Sequence, residues 1–160
     1  MSANPQTILC YSLNTKMIRS KCQDMSHAAS LVPMKFDHNC VNWTIGHILN
    51  SRNFVLETLG DDSFEWSEKD KTAYGTDASC QESAEAAAKG RTLPQLLEAI
   101  DVTQAKLEVA LQSQALRDHE EKRPFYGEAE RSIEYIVNFM LWHEALHAGE
   151  ISVLRPAADM

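Results

Sequence analysis

The chain has 160 residues, 44% hydrophobic and 24% charged, with a formal net charge of −8. That composition fits one globular domain over residues 1–160, and the acidic balance, with no cluster of Lys or Arg, excludes a surface-wide nucleic-acid footprint. No apolar run approaches the ~20 residues that cross a bilayer, and Met1–Gln6 lacks the basic-then-apolar pattern of a leader, so a cytoplasmic protein with no membrane partner is expected.

Helical periodicity begins at once. Ile8, Tyr11, Thr15, Ile18 and Cys22 recur at helical spacing, predicting a first helix over Gln6–Met25 with Pro5 in its first turn. Ser26–Cys40 reads as a connection. Asn42–Leu59 reads as a second helix, with an apolar arc through Val41, Ile45, Ile48, Val55 and Leu59 and with Gly60 at its C-terminal end. His47 lies at the edge of that arc. Trp43, Ser51 and Phe54 share its side, as residues lining a pocket would, although an edge histidine taken alone is more often a packed or half-exposed side chain.

Gly60–Arg91 is long for a connection in a compact domain, the length of a lid or binding loop, or of a surface excursion. Phe64, Trp66 and Tyr74 give it apolar surface to bury, and Asp77–Lys89 fits a short alanine-rich helix. Thr92 and Gln95 have capping-box spacing at the start of a third helix, Thr92–Arg117, whose Leu93, Leu96, Leu97, Ile100, Leu107 and Leu111 form the clearest amphipathic stripe. Asp118–Gly127 reads as a charged turn. A fourth helix is expected from Glu128 to Arg155, stopped by Pro156. With no β-alternating segment, four amphipathic helices make an all-α four-helix bundle the economical fold, with a long crossover between helices two and three.

Chemistry concentrates on the fourth helix. His143 and His147 stand four residues apart on its apolar stripe, on one face and within reach of one metal ion. Two core histidines with ordinary hydrogen-bond partners are the alternative. His143-Glu144-Ala145-Leu146-His147 also matches the HExxH pattern of zinc proteases. That reading fails: Val153 occupies the position six residues beyond His147, where a third histidine is needed, and no sheet edge is predicted to hold a substrate. A third ligand can come from another helix, and His47 is the candidate. Three neutral imidazoles leave a position open and suit zinc, nickel or iron. Glu150 shares the histidine face, as a partner of a ligand, a fourth ligand or a structural acceptor. Glu144, about 80° round the helix, fits a general base or a solvated flank. His27, His38 and His119 have no partner at ligand spacing. Cys10, Cys22, Cys40 and Cys80 show no CxxC pair and are expected as reduced thiols.

Trp43-Thr-Ile-Gly-His47 on one helix and His143-Glu-Ala-Leu-His147-Ala-Gly-Glu150 on the last resemble the DinB/YfiT-like superfamily over nearly the whole chain. The resemblance implies a four-helix bundle, often dimeric, with a metal site at His47, His143 and His147. Many members carry Gln where this chain has Glu150. It further implies a metal-dependent enzyme acting on a small molecule: a transferase or isomerase using a low-molecular-weight thiol such as bacillithiol or mycothiol, or a hydrolase. A non-catalytic bundle that binds a metal or small molecule is the expectation from a different class. Under the catalytic reading, Glu144 and Glu150 are the candidate catalytic residues, and Trp43, Ser51 and Phe54 line the pocket.

Overall fold

The computed structural model describes residues 4–33, 39–76, 78, 90–113 and 121–158, and it is mostly helical. Four long helices dominate: α1 (Pro5–Cys22), α3 (Val41–Thr58), α5 (Leu93–Ser113) and α6 (Ile133–Ala158). Two short helices, α2 (His27–Ser30) and α4 (Glu68–Ala73), and one hairpin, β1 (Lys122–Phe125) with β2 (Glu128–Ser132), complete the described elements. Helices α1 and α3 each pack against both α5 and α6. No helix among the described residues is long and apolar enough to cross a membrane.

The helix ends follow from local chemistry. Gly60, at φ 84°, closes α3, and the amides of Gly60 and Asp61 donate to the carbonyls of Glu57 and Leu56, the paired bonds that glycine permits after a helix. Thr92 and Gln95 form the expected reciprocal cap on α5: the Thr92 amide donates to Gln95 Oε1 at 2.8 Å and the Gln95 amide to Thr92 Oγ1 at 3.4 Å. His27 adds to this cap by accepting the Leu93 amide at its Nδ1, 3.3 Å away. It is thus a helix-capping residue, far in role from a metal ligand.

Several expected boundaries move. The first helix ends at Cys22, three residues early, because Ser26 caps a separate turn of helix by accepting the Ala29 amide. The expected third-helix end at Arg117, the Asp77–Lys89 helix, His38, His119 and Cys80 lie outside the described residues. The fourth helix starts at Ile133 rather than Glu128. The residues before it are a strand paired antiparallel with 122–125, which corrects the expected charged turn and the absence of any strand. Tyr126 and Gly127, at φ 50° and 70°, supply the two left-handed positions of a tight hairpin turn. Pro156 does not stop α6, which runs to Ala158; it removes one i→i−4 hydrogen bond, and the helix continues only two residues beyond it.

The core is split. One apolar cluster gathers Ile18, Ile45, Ile48, Leu49, Leu96, Ile100, Ala148 and Ile151. The other gathers Tyr11, Val55, Leu56, Leu107, Leu111, Ile136, Val137 and Met140. Between them in sequence each long helix contributes a buried polar residue to one network: Thr15 on α1, Arg52 on α3, Thr103 on α5 and Glu144 on α6. Arg52 is 0% exposed. Its Nε and Nη2 donate to the two oxygens of Glu144, both at 2.8 Å. Nη1 donates to Ile100 O and Thr103 Oγ1, and Nη2 also to Thr15 Oγ1. All five guanidinium protons therefore have acceptors. Loss of one partner from such a buried pair costs about 3–5 kcal/mol, because the other charge is left uncompensated.

Candidate metal centre

Helix α3 contributes His47 and helix α6 contributes His143 and His147. His143 Nε2 lies 3.4 Å from His47 Nε2 and 3.1 Å from His147 Nε2, and one ligand atom from each ring lies within 4.8 Å of the other two. A tetrahedral ion with metal–nitrogen bonds of about 2.0–2.1 Å holds neighbouring donors roughly 3.4 Å apart. The cluster is already near that spacing.

The opposite nitrogen of each ring explains why the Nε2 atoms turn inward. His47 Nδ1–H donates to the carbonyl of Tyr74 at 2.9 Å. His147 Nδ1–H donates to Glu150 Oε2 at 2.7 Å. Ser51 Oγ–H donates to the His47 carbonyl at 3.2 Å, which leaves its oxygen to accept His143 Nδ1–H at 3.2 Å. The Tyr74 carbonyl and the Glu150 carboxylate, which only accept, assign the proton to Nδ1 of His47 and His147, and the Ser51 oxygen is able to accept the same proton from His143. Three Nε2 lone pairs then face one another with no donor among them, the arrangement a cation satisfies.

The electrostatics agree. Burial lowers the pKa of His143 to about 4, with the neighbouring His147 and His47 adding to the shift. Burial also lowers that of His47; the Tyr74 carbonyl opposes this without reversing it. Both rings are thus neutral at pH 7, the form a metal requires.

Tyr74 reaches His47 only because residue 46 is glycine. A Cβ there would lie 2.1 Å from Tyr74 Cδ1 and 2.3 Å from Cγ. The tyrosine is anchored further by its hydroxyl, which accepts the Arg91 amide at 3.1 Å and donates to Asn42 Oδ1 at 3.4 Å. Arg91 in turn forks onto Asp70, with both contacts at 3.0 Å, and lies over the Trp66 ring. Burial raises the Asp70 carboxyl, but the hydrogen bonds from Arg91 and Ser67 outweigh it and leave its pKa below the usual value. The described residues 60–76 after α3 are therefore packed onto the helices through Trp66 and Tyr74, and Gly75 and Thr76 reach a cavity beside His47.

That cavity has a volume of about 390 Å³. Ser51 and Phe54 line it, together with Asn50, Glu57, Lys71, Tyr126 and Met140. Trp43 does not line it. The indole stacks on the His47 ring instead, with centroids 4.7 Å apart and planes within 10°, and screens that face of the ligand. Phe64 and Trp66 stack on each other and Trp66 on Tyr74, so these rings support the wall rather than form it. Glu150 meets His147 Nδ1 rather than facing the Nε2 cluster. Glu144 corrects the sequence expectation: it is neither a solvated flank nor an open base, but 0% exposed with both oxygens held by Arg52.

Sequence reading missed Tyr74, because its contribution is a backbone carbonyl. A glycine inside helix α3 was the available signal, since such a residue marks a close approach. Arg52 left no periodic trace, and Tyr126 and Met140 reach the cavity from a hairpin and a helix that sequence spacing does not bring near His47.

A mainly helical chain that directs three histidine lone pairs from two helices to one point defines a protein equipped to hold a divalent metal ion. The family model of the DinB superfamily matches residues 15–151, and the chain belongs to that superfamily. No curated protein and no solved structure matches it significantly.

Proposed function

We propose that this protein is a metal-dependent enzyme of the four-helix-bundle type, with one zinc, nickel or iron ion held by His47, His143 and His147, acting on a small molecule in the adjoining cavity. The observation that carries the reading is the convergence of three Nε2 atoms beside a cavity of about 390 Å³. A purely structural metal needs no such space. Three protein ligands suit a catalytic ion, whereas structural sites are closed by four.

A divalent ion held there would lower the pKa of a thiol or water in its open position. The chain's own residues set the rest. Tyr74, Ser51 and Glu150 fix the three tautomers, and the Glu150 carboxylate makes His147 a stronger donor. Trp43 shields one face of His47. Phe54, Met140 and Tyr126 offer an apolar wall to an electrophile. The reaction we favour is transfer of a low-molecular-weight thiol to that electrophile, by the family resemblance. The described cysteines have no place in it: burial pushes the Cys22 thiol up to about 11, and none of the described cysteines lines the cavity.

Elemental analysis of protein purified without a histidine tag tests the metal, with one ion per chain expected. Cobalt-substituted protein titrated with several thiols, then assayed for conjugation against ester hydrolysis, tests the reaction. Cobalt–sulfur absorption and conjugation, both lost in His47→Ala, support transfer. Metal-dependent hydrolysis without thiol ligation would make the protein a hydrolase. A folded triple alanine variant of the histidines with unchanged metal content would remove the site altogether.

A further inference from the structure

We propose that the buried Arg52–Glu144 pair is a positioning device for the histidine triad, setting the rotation and height of α6 against α3 so that His143 and His147 meet His47. The inference rests on reading those histidines as metal ligands. Its basis is two contacts side by side on the same two helices: Ser51 meets His143 at 3.2 Å, and the next residues, Arg52 and Glu144, meet at 2.8 Å. A residue is displaced about 100° round a helix and 1.5 Å along it relative to its neighbour. A rotation of α6 by even part of that step carries His143 away from His47.

The apolar clusters above and below cannot forbid such a slip by themselves, because aliphatic contacts have little directional preference. A planar fork of two N–H bonds on one carboxylate does have a single geometry. Arg52 is itself fixed: Ile100 and Thr103 hold it on α5 and Thr15 on α1. All four long helices thus meet at one guanidinium; Arg52 is the residue next to Ser51 on α3, and Glu144 is the residue next to His143 on α6. The glutamate of the protease-like HExxH pattern thereby acquires a role that needs no contact with substrate.

The test uses Arg52→Lys, which keeps opposite buried charges but removes the fork, and the apolar double variant Arg52→Met/Glu144→Leu. Zinc affinity is measured by competition with a chelating dye, and metal-free crystal structures give the His47–His143 separation. We expect zinc affinity to fall by about 10–100-fold, as it does when a ligand's orienting contacts are lost, and the Nε2 separation to depart from 3.4 Å. Leu111→Ala, a core truncation that touches neither Arg52 nor Glu144, lowers thermal stability but keeps the parent's affinity. Folded variants that bind zinc like the parent and keep its separation would overturn the proposal. So would failure of both variants to fold, which would assign the pair to folding as a whole. If the parent binds no zinc, the metal reading falls, and the metal-free separations alone decide whether the pair positions the rings.

Discussion

Replacing Gly46 by alanine sets two known effects against each other. Alanine is favoured over glycine in a helix interior by about 1 kcal/mol, so on propensity alone the variant gains stability. The added Cβ, however, would sit 2.1, 2.3 and 2.4 Å from three atoms of the Tyr74 ring. Carbon atoms at rest stand about 3.5–4.0 Å apart, so the ring must retreat by more than an ångström. It is 1% exposed and stacked on Trp66, which leaves no easy direction for that movement. Overpacking of this kind costs about 1–3 kcal/mol, and the retreat also withdraws the carbonyl that accepts His47 Nδ1–H. We expect a net loss of roughly 0–2 kcal/mol after the propensity gain is subtracted. Zinc affinity should fall by about 10–100-fold, as for other losses of a ligand's orienting partner. Urea unfolding of the metal-free protein and dye competition measure the two effects separately. A variant more stable than the parent, with unchanged zinc affinity, would refute both the close approach and the role of Tyr74.

Ser51→Ala should weaken zinc binding while Ser51→Thr restores much of it, since a hydroxyl oxygen is what His143 Nδ1–H needs; equal affinities in a dye titration would contradict this. Glu150→Gln should lower metal affinity by ~10–100-fold, and a loss as large as that of His147→Ala would instead make Glu150 a ligand. His143 has a folded pKa of about 4, below the ~6.5 of an unfolded chain, so the unfolded state binds the extra proton first. Metal-free stability is therefore full above about pH 6.5 and falls as pH drops towards 4; His143→Gln should flatten the melting temperature across that window. Asp70 adds a separate loss at lower pH, because a carboxylate with a depressed folded pKa gives up its stabilisation as pH falls through that value. Arg91→Ala should expose residues 60–76 to limited proteolysis, and an unchanged digestion rate would show that the Asp70 and Trp66 contacts do not hold the segment.

The parts of the fold legible in the sequence were those written in periodicity and punctuation. Val55, Ile48 and Gly60 marked α3 to within a residue, and Thr92 with Gln95 marked the start of α5. The hairpin escaped because Lys122–Phe125 and Glu128–Ser132 are too charged to alternate; they are held by backbone pairing and a left-handed turn, which leave little pattern. At the site, His143 and His147 announce themselves by spacing on one helix. His47 is marked only by its place at the edge of an apolar arc beside Trp43, Ser51 and Phe54, to which the resemblance is added, since spacing within a chain says nothing about which helices become neighbours. Glu144 misled for the same reason: adjacent to a ligand in sequence, it points to a different layer of the core.

Tyr74 joins two things that are usually described apart, the order of a connecting segment and the protonation pattern of a metal ligand. Its carbonyl faces His47 while its hydroxyl binds Asn42 and the Arg91 amide. Because these contacts share one residue, their free energies are linked. An ion that favours the Nδ1–H tautomer of His47 must, by the same amount, favour the packed state of the crossing; a ligand that pries the crossing loose must loosen the ion. Metal loading should then slow hydrogen exchange at the amides of residues 70–75, on the opposite side of His47 from the incoming ion, in proportion to the affinity that Gly46→Ala removes.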